Sequence, residues 1–241
     1  MKFVERGIAV VAAALILSGC IKVDQTISIN PDGSGTLDMI YGMSEQTIAQ
    51  MEAMEQMAAG MKEEGLEAES DSPLDFDEAE VRKKFAEEKP EGVQLLDVSS
   101  ESREGWKYMK VKLAFDDLDS LKNTEFFEDS ELTLTRNAEG NYVLAQKLGP
   151  DATGLPGSPA GSEDAQGMDE KAMQAMAAMF AGLRIAMTVA VPGEIIETNA
   201  TQVEGNRASW VYDIDKDPQI LSKLGGQEEL RLVFSGKGLD L

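Results

Sequence analysis

The sequence predicts an α+β fold: an antiparallel sheet built from hairpins, with two methionine-rich amphipathic helices packed on it. Three observations carry that expectation. Stretches of apolar–polar alternation occur in pairs joined by tight turns, the pattern of half-buried hairpin strands. Two other segments place apolar residues every third or fourth position, the pattern of a helix with one buried stripe. The chain has a single cysteine, so a packed core rather than disulfides must hold it together.

Taken in order, Ile21, Val23, Ile27 and Ile29 fall on one strand face and Lys22, Asp24, Thr26 and Ser28 on the other. The turn cluster Asn30-Pro31-Asp32-Gly33-Ser34-Gly35 follows, and alternation resumes at Leu37, Met39 and Tyr41. Ser44 is placed to cap a helix running to about Glu64, with Met43 and Ile48 as a hydrophobic staple. An acidic linker, Glu67 to Asp75, leads to a second helix opened by Phe76-Asp77 with Glu80 and ended by Pro90. A second hairpin joins Val93–Ser99 to Trp106–Phe115 through Arg103-Glu104-Gly105. A short helix or loop at Leu118–Phe127 precedes a third hairpin, Leu132–Arg136 with Tyr142–Leu148.

Residues 149–167 gather Pro, Gly and Ser as a linker. Beyond it come a helix over Asp169–Ala181, strands at Arg184–Val191, Arg207–Ile214 and Leu230–Phe234, and a short helix at Pro218–Leu224. The expected organisation is therefore a leader over 1–19, a first part of the domain over 20–148, the linker, and a second part of the same domain over 168–241, with a separate subdomain there as the alternative.

The leader reading rests on the first twenty residues. Lys2 and Arg6 precede a ten-residue apolar run, Ile8–Leu17, too short to span a bilayer as a helix but suited to a signal peptide. Leu17-Ser18-Gly19-Cys20 resembles the lipobox of bacterial lipoproteins. That resemblance implies a diacylglycerol on the Cys20 sulfur and cleavage before it. The alternative is an ordinary secreted chain cut near Ala14, with Cys20 a free thiol. Several acyl chains on one cysteine fix a protein to a membrane, since each buried methylene contributes about 0.8 kcal/mol. Ile21 in second position resembles the outer-membrane type of lipoprotein, facing the periplasm, where a host has both membranes.

Charge excludes some partners. The chain has 22 basic and 44 acidic residues; without Lys2, Arg6 and Glu5 the balance is −23. Nucleic acid is excluded as a partner on that ground. Nonspecific attraction to anionic head groups is not expected either, because such a surface repels them, leaving the anchor, apolar surface or a divalent cation to make lipid contact.

The chain contains no histidine. Imidazole-ligated zinc or copper and Ser-His or Cys-His nucleophiles are thereby excluded, and no catalytic residue, metal or cofactor is assigned. Asp213, Asp215 and Asp217 begin like a calcium loop, but Pro218 stands where glycine is needed and Leu224 where glutamate is needed. A strand end running into a capped turn, with Asp215 or Asp217 capping, accounts for them better. Trp106, Tyr108, Trp210 and Tyr212 alternate within two strands and are expected as core and rim of the sheet.

The unusual feature is methionine. Met51, Met54, Met57 and Met61 form one helical stripe; Met168, Met173, Met176 and Met179 with Phe180 form another. A wall of this flexible, polarizable side chain adapts to acyl chains. Two readings stand: the stripes line an apolar-ligand groove, or they are core. The first makes the protein a noncatalytic lipid-handling envelope protein. The second makes it a structural or interaction module whose acidic face meets a basic protein partner.

Beyond the lipobox, Cys20-Ile21-Lys22-Val23-Asp24, the Asn30-Pro31-Asp32-Gly33-Ser34-Gly35-Thr36 turn, Val191-Pro192-Gly193-Glu194-Ile195 and the strand with Trp210 resemble LppM-like bacterial lipoproteins. The resemblance implies an acylated envelope protein with an α+β extracytoplasmic domain and, for some members, lipid or glycolipid binding.

Overall fold

In the computed structural model, residues 21–49, 76–124, 127, 131–147, 182–217, 220, 229–237 and 239 are described. Eleven strands among them make two sheets. The larger has the order β3-β4-β2-β1-β7-β10-β9 and the smaller β5-β6-β11-β8.

The alternation of the opening residues does form a hairpin. β1 (Ile21–Ile29) pairs antiparallel with β2 (Gly35–Ser44) from Ile21↔Met43 to Ile29↔Gly35. Asp32 closes its turn by accepting from the backbone and hydroxyl of Ser34. Ser44 Oγ then accepts the Thr47 N–H (3.1 Å), the expected N-cap, and residues 45–49 are helical. Helix α1 (Glu78–Glu88) is capped by Asp77, whose carboxylate accepts from Ala79 and Glu80. It ends at Lys89, left-handed at φ 46°, just before Pro90.

The second hairpin is longer than its alternation suggested. β3 (Val93–Arg103) pairs with β4 (Trp106–Phe115) along its whole length, with a bulge at Leu96. The two residues between them, Glu104 and Gly105, both have positive φ (53° and 76°), as a two-residue hairpin turn matched to strand twist requires. A 3-10 helix (Leu118–Asn123), capped by Asp117, leads into β5 (Glu131–Arg136) and β6 (Tyr142–Lys147).

The expectation of an antiparallel sheet needs one correction. β7 (Arg184–Ala190) runs parallel to β1, Lys22↔Arg184 through Ser28↔Ala190, so the larger sheet is mixed. The hairpins imposed antiparallel pairing only on strands adjacent in sequence; β1 and β7 are joined by everything between them and carry no such constraint. An Arg184 Nη1 to Asp24 Oδ1 contact (2.6 Å) ties the pair on the open face.

Two strands were not foreseen. After β7 the chain crosses to the smaller sheet through Val191–Glu194 and forms β8 (Ile195–Thr198), then returns to the larger one as β9 (Gln202–Glu204). The crossing is tight: a Cβ at Gly193 would lie 2.2 Å from the Ser235 carbonyl oxygen, and Ser235 N donates to Glu194 O. β10 (Arg207–Asp213) pairs with β7 and β9, and β11 (Glu229–Phe234) with β6 and β8. Strands from both sides of residues 149–167 thus neighbour each other in each sheet.

The inward faces share one core. Leu37, Met109, Leu113 and Trp210 of the larger sheet join Leu132, Leu144, Leu232 and Phe234 of the smaller, all essentially without solvent exposure. The opposite face of the larger sheet carries charged and polar side chains, among them Asp38 bridged to Lys112 (3.0 Å) and Thr188 hydrogen-bonded to Ser209 (2.9 Å). The helices expected from the methionine stripes fall on residues that are not described, apart from 45–49, as does the short helix at Pro218–Leu224 apart from Ile220, which is helical.

Candidate functional site

Leu17, Ser18, Gly19 and Cys20, together with Met51, Met54, Met57, Met61, Met168, Met173, Met176, Met179 and Phe180, all lie outside the described residues. What the described residues do present is a cleft of about 630 Å³ where the chain changes sheets, beside the β9 edge of the larger one. That volume is ordinary for a small-ligand pocket.

Sequence chemistry builds this cleft through two short polar side chains. Asn199, just past β8, behaves like a strand residue: its backbone N–H donates to Arg231 O (3.2 Å), its side-chain amide to Glu229 O (2.7 Å), and its Oδ1 accepts the Arg231 N–H (2.9 Å). The same Oδ1 accepts the indole N–H of Trp210 (2.9 Å), linking the smaller sheet to the core of the larger. Thr201 does the equivalent for β10. Its hydroxyl donates to Ser209 O (2.8 Å) and accepts the Val211 N–H (3.1 Å), taking the place of a β9 peptide group just where β9 pairing stops. Amide and hydroxyl side chains can do this because each offers a donor and an acceptor.

Past that point β10 borders the cleft. Trp210, Val211, Tyr212 and Ile220 supply an apolar wall, Trp210 being only 1 % exposed. Gln202 and Glu229 lie at its margin with an ion pair, Asp213 Oδ2 to Lys216 Nζ (2.9 Å). The hydrogen bond from Lys216 holds the Asp213 carboxyl below its usual range, so it is ionised at neutral pH. Asp213 O also accepts the N–H groups of Lys216 and Asp217, and Asp215 Oδ1 accepts from Gly182 N (2.9 Å). These aspartates are turn and tie residues, and the turn after β10 is closed by the Asp213 carbonyl rather than by an Asp215 side-chain cap. Among the described residues no group of three or more aspartate, glutamate or cysteine side chains is arranged to hold a metal ion.

Trp210 and Tyr212 are core and cleft wall, close to expectation. Trp106 and Tyr108 are different: both are half-exposed on the open face of the larger sheet, stacked at 6.1 Å between centroids. Lys22 Nζ stands 3.9 Å from the Trp106 ring centroid and Arg103 lies 4.7 Å from that of Tyr108. The Tyr108 ring covers Gly42, where a Cβ would meet it at 2.5 Å. Strand alternation alone could not find this cation–aromatic row, because its members come from three strands.

The described residues form a mostly β module of the α+β kind, with few and short helices, a mixed seven-stranded sheet, a smaller four-stranded sheet and a lateral cleft. The LppM domain family model matches residues 22–220, and the chain belongs to that family. Membership is consistent with an envelope lipoprotein. Among solved structures the chain is similar to the folded domain of Mycobacterium tuberculosis LppM, determined by NMR, with 16 % identity, a TM-score of 0.44, and coverage of 92 % of this chain and 94 % of that one. No curated protein matches.

Proposed function

We propose that this protein is a noncatalytic cell-envelope lipoprotein, tethered through an acylated Cys20, whose domain binds a lipid or other apolar ligand in the cleft beside β10. The cleft carries the reading: an apolar wall of Trp210, Val211, Tyr212 and Ile220 ends at an ionised Asp213–Lys216 pair, a layout that suits an amphiphile with an acyl portion and a polar head. Membership of the LppM family and the Leu17-Ser18-Gly19-Cys20 motif support the tether, and Ile21 supports an outer-membrane site facing the periplasm where the host has both membranes.

Uptake of a fluorescent fatty acid by residues 21–241, which hold every described strand, tests the ligand. Gln202 lies exposed at the cleft margin, so Gln202→Trp fills the opening without entering the core. We expect the parent to take up the probe and the variant to bind it about tenfold more weakly, a loss of about 1.4 kcal/mol. No uptake by the parent, or equal uptake by both, removes the cleft as a lipid site, and an unmodified Cys20 in intact-mass analysis removes the tether.

A further inference from the structure

Lys22 is two residues from Cys20, and β1 begins at Ile21, so there is no spacer between the proposed anchor and the sheet. Whatever side chains share that end of the sheet must lie at the membrane surface. We propose that the tip of the β3–β4 hairpin, with Lys22 beside it, is a docking surface for an anionic lipid bilayer that fixes how the tethered domain stands on its membrane. This rests on the reading that Cys20 is acylated.

Register puts the tip there. Ile21 pairs with Met43, the next β2 residue, Ser44, pairs with Trp106, and Glu45 N donates to Gly105 O (2.9 Å). The side chains gathered are those that favour a membrane interface. Trp106 and Tyr108 are amphipathic rings, partly exposed, of the kind enriched at head-group depth. Lys22 and Arg103 flank their stack, and Lys110 continues the same face of β4, while Lys107 points to the other face, over Phe76. Long basic side chains can keep contact with an aromatic face while their charged ends reach phosphate.

Charge supplies the second argument. At this end of β1–β4, Lys22, Arg103, Lys107 and Lys110 are balanced by Asp24, Glu45, Glu101 and Glu104, a neutral patch in a chain of net −22, with Arg184, Asp213, Asp215, Lys216 and Asp217 farther along the same end. Glu101 is taken up by Lys110 (3.0 Å) and Arg103 (3.6 Å). At the opposite end, around the β1–β2 turn and the starts of β3 and the 3-10 helix, Asp32, Glu91, Asp116, Asp117 and Asp119 face Lys122. An anionic surface therefore repels the far end more strongly than the anchor end, which orients the domain upright and leaves the Lys22–Trp106 and Arg103–Tyr108 row to make the contact. Adding this cation–aromatic row to an acyl anchor is also the second signal that stable attachment uses.

The acylated protein, isolated from its native envelope, is reconstituted into vesicles of phosphatidylethanolamine and phosphatidylglycerol containing brominated phosphatidylcholine. The chain has two tryptophans, and Trp210, in the core, is the internal reference. We expect loss of the Trp106 emission in brominated vesicles, persistence of the Trp210 emission, and no bromine-dependent loss in Trp106→Phe. Unquenched parent protein, or a Trp106→Phe variant quenched as strongly as the parent, overturns the docking. Intact mass of the same sample reports acylation separately. If the sulfur proves bare, coupling Cys20 to a maleimide lipid restores the tether and the same fluorescence readings decide, so failure of the anchor and failure of the docking are told apart.

Discussion

The two lateral edges of the larger sheet solve one problem in opposite ways. Each presents backbone groups that could pair with another chain. At the β3 edge, α1 lies across the strand and its charged side chains take those groups: Glu78 accepts from both the backbone and hydroxyl of Ser100 (2.7 and 2.9 Å), and Arg82 donates to Val98 O (2.7 Å). Glu78 and Arg82 are one helical turn apart, so they reach alternate groups of a strand they cross. At the β9–β10 edge no helix among the described residues does this; the Thr201 hydroxyl extends the β10 ladder briefly, Asn199 does the same for β11 of the smaller sheet, and a cleft opens beyond them. A helix laid across the edge covers the strand's free groups; an edge finished by the Thr201 hydroxyl alone leaves a cleft beside β10.

The comparison can be broken most strongly at Asn199. Its side chain serves Trp210, Arg231 and Glu229 at once, so Asn199→Ala should cost about 1–2 kcal/mol in thermal or urea unfolding, and it should shift the emission of Trp210. A variant as stable as the parent would mean that water replaces the amide without loss. Thr201→Val keeps the shape and removes both hydroxyl bonds to β10. It should cost about 0.5–1 kcal/mol and raise hydrogen exchange at Val211 specifically, readable by NMR.

The smallest effect is expected at the closed edge, and it depends on pH. The hydrogen bonds from Ser100 lower the Glu78 carboxyl below its ordinary 4.5. A folded-state value below the unfolded one means that the contribution is complete above about 4.5 and lost as pH falls through the folded value. Glu78→Gln should therefore melt slightly below the parent at neutral pH, with the gap closing under acid. A gap that stays constant across that range would show that ionisation of Glu78 plays no part in holding the edge.

Legibility followed the distance over which each interaction acts. Ser44 and Asp77 were readable as caps because the atoms they serve are two or three residues away. The Glu104-Gly105 turn was placed correctly, yet β3 reached Arg103 rather than Ser99. Serines, a glutamate and an arginine hide a strand whose partner β4, not its own composition, makes it extended. β8 and β9 leave little signal in the sequence because they are short and mostly exposed, and the ladders beside them are completed by Asn199 and Thr201 side chains that look like loop residues. The cleft was invisible for the same reason.

By itself the sequence determined the local alphabet of this protein: hairpins from alternation, helix starts from capping chemistry, the lipobox resemblance, and the exclusion of imidazole chemistry by the absence of histidine. Only the tertiary structure decided that β7 lies parallel to β1, with Asp24 and Arg184 meeting across 160 positions. It also decided where charge resides. A net −22 describes the average, whereas folding brings Lys22, Arg103, Lys107 and Lys110 together with Asp24, Glu45, Glu101 and Glu104 into a neutral end of the sheet. The reason is physical: propensity and capping act within a few residues, while sheet partners and surface fields are set by segments brought together only when the core is buried.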